Sequence, residues 1–202
     1  MVLSFLIVRV CRVLRVSLTR AHAKPILTTI PSMMQAIEEE CPMKREYPSR
    51  PIPAVAAVIF SGTKVLLVKR ANPPSEGQWS LPGGAIQLGE TWREALEREI
   101  LEEAGIGIEV KSLVAVVDRI VRDKQHRIRY HYIILDYWAE YASGSAQASS
   151  DAMDVRWLEI PDLEALGVSE DTVRVIKLAR EMRRAANSRA IANRGETCSF
   201  TL

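Results

Sequence analysis

Gly83-Gly84-Ala85-Ile86-Gln87-Leu88-Gly89-Glu90, then Thr91-Trp92-Arg93-Glu94-Ala95-Leu96-Glu97, then Arg98-Glu99-Ile100-Leu101-Glu102-Glu103-Ala104-Gly105-Ile106, is the stretch that decides the fold of this chain. It reads as a glycine loop, one helix and a glycine stop. Thr91-Trp92-Arg93-Glu94 has the form of a capping box, in which hydroxyl and carboxylate satisfy amide donors at a helix start. Gly105 supplies the left-handed residue that ends the helix. At about 100° per residue, Trp92, Ala95, Leu96, Ile100 and Ala104 fall on one arc, and Glu99, Glu102 and Glu103 overlap or border it. Carboxylates beside an apolar stripe repel one another and lose hydration unless a cation or a basic partner compensates. A solvated acidic face balanced by Arg93 and Arg98 is the plain alternative. A hard divalent ion is the simplest compensation, because Mg²⁺ takes carboxylate, carbonyl, water and phosphate oxygens.

The whole pattern decides between them. Gly84, five residues, Glu90, seven residues, Arg98-Glu99, apolar Ile100, one residue, Glu102-Glu103, one residue, Gly105 and apolar Ile106 resembles the Nudix box at each of its defining positions. Seven such identities coincide by chance with a probability of about 10⁻⁸ per starting point. The resemblance, in box and flanking layout, covers about residues 51–184. It implies an α+β fold, an α/β/α sandwich with a mixed β-sheet, and hydrolysis of a nucleoside diphosphate linked to another group by metal-activated water.

On that resemblance Glu102, Glu103 and the Gly83 carbonyl are the principal metal ligands, for Mg²⁺ or Mn²⁺. Glu99 is a further ligand or the base that orients water. Arg98 orients the acids by bidentate pairing, and Glu90 either pairs with Arg98 or reaches metal through water. A further acid from outside the box often completes such sites, with Glu140, Asp136 and Asp151 as candidates.

Outward from the box, Pro42, Pro48, Pro51 and Pro53 mark a linker. Ala54–Phe60 and Val65–Lys69 read as a hairpin of doubly buried strands, turning at Ser61-Gly62-Thr63-Lys64. Arg70–Gln78 is a loop, and Trp79-Ser80-Leu81 a short extended segment in which Trp79, like Trp92, reads as a core aromatic. Ile108–Val117 and Ile128–Tyr141 are strands around a basic turn, Arg119 to Arg127, that suits phosphates, a homodimer partner or simple solvation. Ala142–Ser150 is a flexible loop, and Met153–Ile160 another strand. Ser169 caps a helix toward Arg184 with Val173, Ile176, Ala179 and Met182 on its buried face. Residues 185–202 read as a loose tail.

Substrate choice lies outside the box, at Arg70, Arg119 and Tyr132 as candidate binding residues. The flanking layout resembles Nudix hydrolases of ADP-ribose or of oxidised nucleoside triphosphates, and an ADP-ribose-like substrate is the favoured reading. Nudix ADP-ribose hydrolases often carry a proline about sixteen residues beyond the box, and Ile120–Asp123 has none. A nucleotide-sensing module without catalysis would be expected to have lost box acids, whereas this chain keeps all four glutamates.

The net charge of +2 gives no global argument for nucleic acid. Cys11, Cys41 and Cys198 are scattered and lack zinc-type spacing, which suits reduced thiols in the cytoplasm. Residues 1–37 contain Arg9, Arg12, Arg15, Arg20 and Lys24 but no acid. Their arginines interrupt the Val2–Val16 stretch too often for a transmembrane span. Three readings of residues 1–50 stay open: a disordered extension or upstream start artefact, an organellar targeting segment, and a membrane-surface helix.

Overall fold

A computed structural model describes residues 45–148 and 152–195. The readings of the basic N-terminal segment, of the three cysteines, of Asp151 and of the last seven residues lie outside the described residues. Among the described residues, seven strands form one mixed sheet. β1 (Ile52–Ser61) pairs antiparallel with β2 (Lys64–Arg70), the hairpin expected from the turn residues. β3 (Trp79–Ser80) pairs with β2, and β4 (Gly83–Ala85) pairs with β1. β5 (Ile106–Arg122) and β6 (Ile128–Gly144) form a long antiparallel hairpin, and β6 runs parallel to β1. β7 (Ala152–Glu159) closes on β2. The main order is β3-β2-β1-β6-β5.

Alternation along β1 explains why a strand this apolar lies at the centre. Val55, Ala57 and Ile59 face one helix, α1 (Trp92–Ala104), through Ala95, Leu96, Ile100 and Ala104. Val58 and Phe60 face the other, α2 (Glu170–Gly195), through Val173, Ile176 and Ala179. The layers are therefore helix, sheet, helix, as the resemblance implied. The α1 start is the capping box read from Thr91 and Glu94: the Glu94 amide donates to Thr91 Oγ1 at 3.3 Å, and the Thr91 amide to Glu94 Oε2 at 2.8 Å. Gly105 ends the helix at φ +68°. Trp79 is core, and Trp92 stacks on Tyr137 with ring centroids 4.2 Å apart.

Three boundaries differ from the sequence reading. β5 and β6 are longer than expected, because their outer ends pair only with each other and need no buried face. The C-terminal segment is helical rather than loose as far as Gly195. Burial periodicity stops near Met182, but Ala185, Ala186, Ala190 and Ala192 are strong helix formers and continue the helix without it. Lastly, the folded unit begins before residue 51. The Tyr47 amide donates to the Arg129 carbonyl at 2.8 Å, and Arg129 Nε to Glu46 Oε1 at 2.5 Å.

Candidate active site

The acids of α1 are gathered by one guanidinium. Arg98 Nε and Nη2 donate to the two oxygens of Glu90 at 2.6 and 2.9 Å. Its Nη1 donates to Glu99 Oε1 at 2.8 Å and to Glu102 Oε2 at 3.1 Å, and Nη2 also reaches the Ala85 carbonyl at 3.3 Å. The guanidinium thus forks onto Glu90 in a bidentate pair. The Arg98 bond, reinforced by the Gln87 amide, lowers the Glu90 carboxyl to about 2. The same contacts raise Arg98 above the usual guanidinium range.

Glu103 is buried and accepts from the Gly83 amide at 2.9 Å, so two of the expected ligand-bearing residues meet. Glu99 lies against Gly84, where any Cβ would overlap its carboxyl group. Pairing of Val55 with Gly84 and Ala56 with Gly83 pins this corner to the central strand. Gly83 adopts φ +148°, and a side chain there would collide with the Val55 carbonyl.

Three carboxylates and a backbone carbonyl make a hard oxygen set suited to a divalent cation. As the side chains stand, no three metal-binding groups converge among the described residues. Arg98 draws Glu99 and Glu102 to itself while Glu103 turns to the Gly83 amide.

Beside this corner, a cavity of about 450 Å³ is bounded by Gly84, Ala85, β1, β5, β6, the loop Pro73–Ser75 and the start of α2. All three expected substrate residues line it: Arg70, Arg119 and Tyr132. Arg70 sits at a register shift between β2 and β7, the kind of irregularity that re-aims a side chain. Arg119 Nη2 donates to the buried Ser75 Oγ at 2.6 Å. Burial, together with Arg70 nearby, lowers Arg119 below the usual guanidinium range. Neither arginine forms a direct ion pair among the described residues, although the Asp171 carboxylate acts on Arg119 from the same cavity wall.

The candidate extra acids separate. Glu140 is no part of this site: it lies beside Phe60, at the far end of the β1–β6 pairing from Ile52 and Tyr132. There Arg183 forks onto it at 2.7 and 2.8 Å, and Arg183 also donates to the Gly62 carbonyl. An acid in that pairing serves packing of α2. Asp136 does line the cavity. The basic turn is largely satisfied within the chain, since Asp123 accepts from Arg127 Nε at 2.8 Å and Arg122 donates to the His126 carbonyl at 3.0 Å. Sequence reasoning missed the contribution of Pro73–Ser75 and of Ser169–Val175 to the cavity wall. No local motif carries it, because tertiary packing brings the α2 start to the sheet.

Comparison with known proteins agrees with this fold. The chain is 35% identical over 123 residues to an ADP-ribose pyrophosphatase of Methanocaldococcus jannaschii, covering 61% of this chain and 70% of that protein. It is 27% identical over 132 residues to the 8-oxo-dGDP phosphatase of Homo sapiens, covering 65% of this chain and 39% of that one. A MutT NUDIX hydrolase of Burkholderia pseudomallei superposes with a TM-score of 0.57 at 28% identity, covering 64% of this chain and 98% of that one. The NUDIX domain family model matches residues 50–178, more than half of the sequence, and the chain belongs to that family of hydrolases.

Proposed function

We propose that this chain hydrolyses the diphosphate of a nucleoside diphosphate linked to a second moiety, with an ADP-ribose-like compound as substrate. The observation that carries the reading is one juxtaposition: the Arg98-ordered acids and the Gly83-Gly84 corner adjoin a cavity lined by two guanidiniums, Arg70 and Arg119, that form no direct ion pair among the described residues. A diphosphate is doubly anionic, so it is matched by acids that hold a divalent cation on one side and by arginines on the other.

Glu99, Glu102, Glu103 and the Gly83 carbonyl would hold Mg²⁺ or Mn²⁺, which when bound screens the diphosphate and acidifies the attacking water. The protein's own residues supply the rest. Arg98 fixes the angle at which Glu99 and Glu102 are presented. Arg70 and Arg119 bind and orient phosphate oxygens, and Tyr132 borders the same cavity. Glu99, which borders Gly84, would either complete that metal set or accept a proton from water.

A second reading, hydrolysis of oxidised guanine nucleotides, is favoured by the likeness to the human 8-oxo-dGDP phosphatase. A panel of nucleoside diphosphate sugars and nucleoside triphosphates, assayed with Mg²⁺ and Mn²⁺ for phosphate-bearing products, decides between them. We expect turnover of ADP-ribose that is abolished in Glu103→Gln and reduced in Glu102→Gln. Equal, slow turnover by wild type and both variants would overturn the enzymatic reading. A cytoplasmic location is part of this proposal; no helix among the described residues is long and apolar enough to cross a membrane.

A further inference from the structure

Ser75 has no part in holding the cation, yet it is a buried polar side chain, 6% exposed, in the cavity wall. Its place is fixed from two directions. Pro73 and Pro74 restrict the backbone ahead of it. Behind it the loop closes on Arg70: the Gly77 amide donates to the Arg70 carbonyl at 2.8 Å, the Arg70 amide to the Gln78 carbonyl at 3.0 Å, and the Gln78 amide to the Ser75 carbonyl at 3.1 Å. From this loop the Ser75 hydroxyl accepts from Arg119 Nη2 at 2.6 Å, across 44 residues of sequence. One loop therefore carries Arg70 at its base and grips Arg119 of β5 at its tip.

Arg119 is pulled two ways. Arg70 repels it, and Asp171 at the α2 start attracts it from the same cavity wall. The bond to Ser75 is the one hydrogen bond its side chain makes among the described residues, which leaves most of the five N–H donors of the guanidinium open to the cavity. A guanidinium drawn onto Asp171 would form an ion pair, and its charge would be spent within the protein. A hydroxyl acts differently: it fixes the direction of the donor without neutralising it. Ser75 is thus a neutral acceptor at a point where a charged one would defeat anion binding. Because the hydroxyl is buried while Arg119 is exposed along β5, a ligand meets Arg119, and Ser75 acts through it.

We infer that Ser75 is a positioning residue that keeps Arg119 on the Arg70 side of the cavity and away from Asp171, so that the two guanidiniums form one cradle for phosphate oxygens of the substrate. This inference rests on the nucleoside-diphosphate reading above.

The test measures kcat and KM for ADP-ribose with Mg²⁺, and ADP-ribose binding by calorimetry in EDTA, where no turnover interferes. We expect Ser75→Ala to raise KM and the metal-free Kd about tenfold while kcat stays within about twofold. Ser75→Asp should weaken binding at least as much, with a melting temperature no lower than wild type, because the carboxylate pairs with Arg119 and quenches it. The Ser75→Ala/Asp171→Asn double variant should bind within about threefold of wild type, a recovery larger than any gain from Asp171→Asn alone and one that a merely structural serine would not show. The inference is overturned if Ser75→Ala leaves KM and Kd unchanged or lowers kcat at constant KM. It is equally overturned if Ser75→Asp binds like wild type, or if the double variant is as weak as Ser75→Ala. Metal-free binding that follows the expected order in a protein without turnover would count against the hydrolytic reading alone. Wild type that neither turns over nor binds ADP-ribose would overturn both.

Discussion

Because Arg98 donates to Glu90, Glu99, Glu102 and the Ala85 carbonyl at once, lysine cannot replace it. We expect Arg98→Lys to lower kcat/KM about 10–100-fold while the melting temperature changes little, as steady-state kinetics beside calorimetry would show. Gly84→Ala should act more locally. Its methyl group falls on the Glu99 carboxyl, so activity should be lost from a folded protein, checked by circular dichroism alongside turnover. At Asp136 the folded carboxyl titrates near 7, above the ordinary unfolded value near 4. Below pH 4 both states hold the proton and nothing is lost. As pH rises from about 4 to 7 the unfolded chain ionises first, and stability falls, by up to about 4 kcal/mol at the plateau. Urea denaturation of Asp136→Asn should therefore match wild type at pH 4 and exceed it at pH 8; a constant difference would contradict the buried neutral acid.

At the scale of elements, the α1 start and the α2 anchor make separable contributions. Thr91→Ala removes the hydroxyl that accepts from the Glu94 amide and donates to Glu94 Oε2, and should cost about 1 kcal/mol and lower the melting temperature by about 2–4 °C. Glu140→Gln breaks the fork from Arg183 across the sheet to α2, and should cost about 1–2 kcal/mol while leaving kcat unchanged. A fall in kcat at constant stability would return Glu140 to the reaction. The two elements also show what a sequence can disclose. Thr91, Glu94 and Gly105 act within one helix, and their geometry follows from spacing alone. Glu140 and Asp136 are four residues apart on one strand, and their different fates depend on what β1 and α2 bring to each end. Arg70, Arg119 and Tyr132 were legible as a set because arginine and tyrosine near strand ends beside the box are chemically apt. The walls supplied by Pro73–Ser75 and the α2 start were not, since proline, serine and capping residues have ordinary structural uses.

For the whole molecule, the linker is where expectation and structure differ with consequence. Glu46 and Tyr47 bond to Arg129 and Tyr47 also to Asp123, so they belong to the folded unit that the proline pattern placed later. Removing residues 1–42 should leave turnover and melting temperature unchanged. Removing residues 1–50 should lower the melting temperature, because it strips the β5–β6 hairpin of these contacts; equal behaviour of the two truncations would show that the contacts contribute nothing.

The parallel pairing of Ile52 with Tyr132 through Phe60 with Glu140 joins segments eighty residues apart along the chain. Everything between them, including Gly83, α1 and Asp136's cavity wall on β5, lies inside the loop that this pairing closes. Closing so long a loop is entropically unfavourable until many contacts repay it together, which places the event late and makes it slow. The Gly83–Gly84 corner thus has no independent existence in time. A refolding chain should regain turnover only in its slowest phase, together with protection of the β1 amides, and no fragment ending before β6 should retain any.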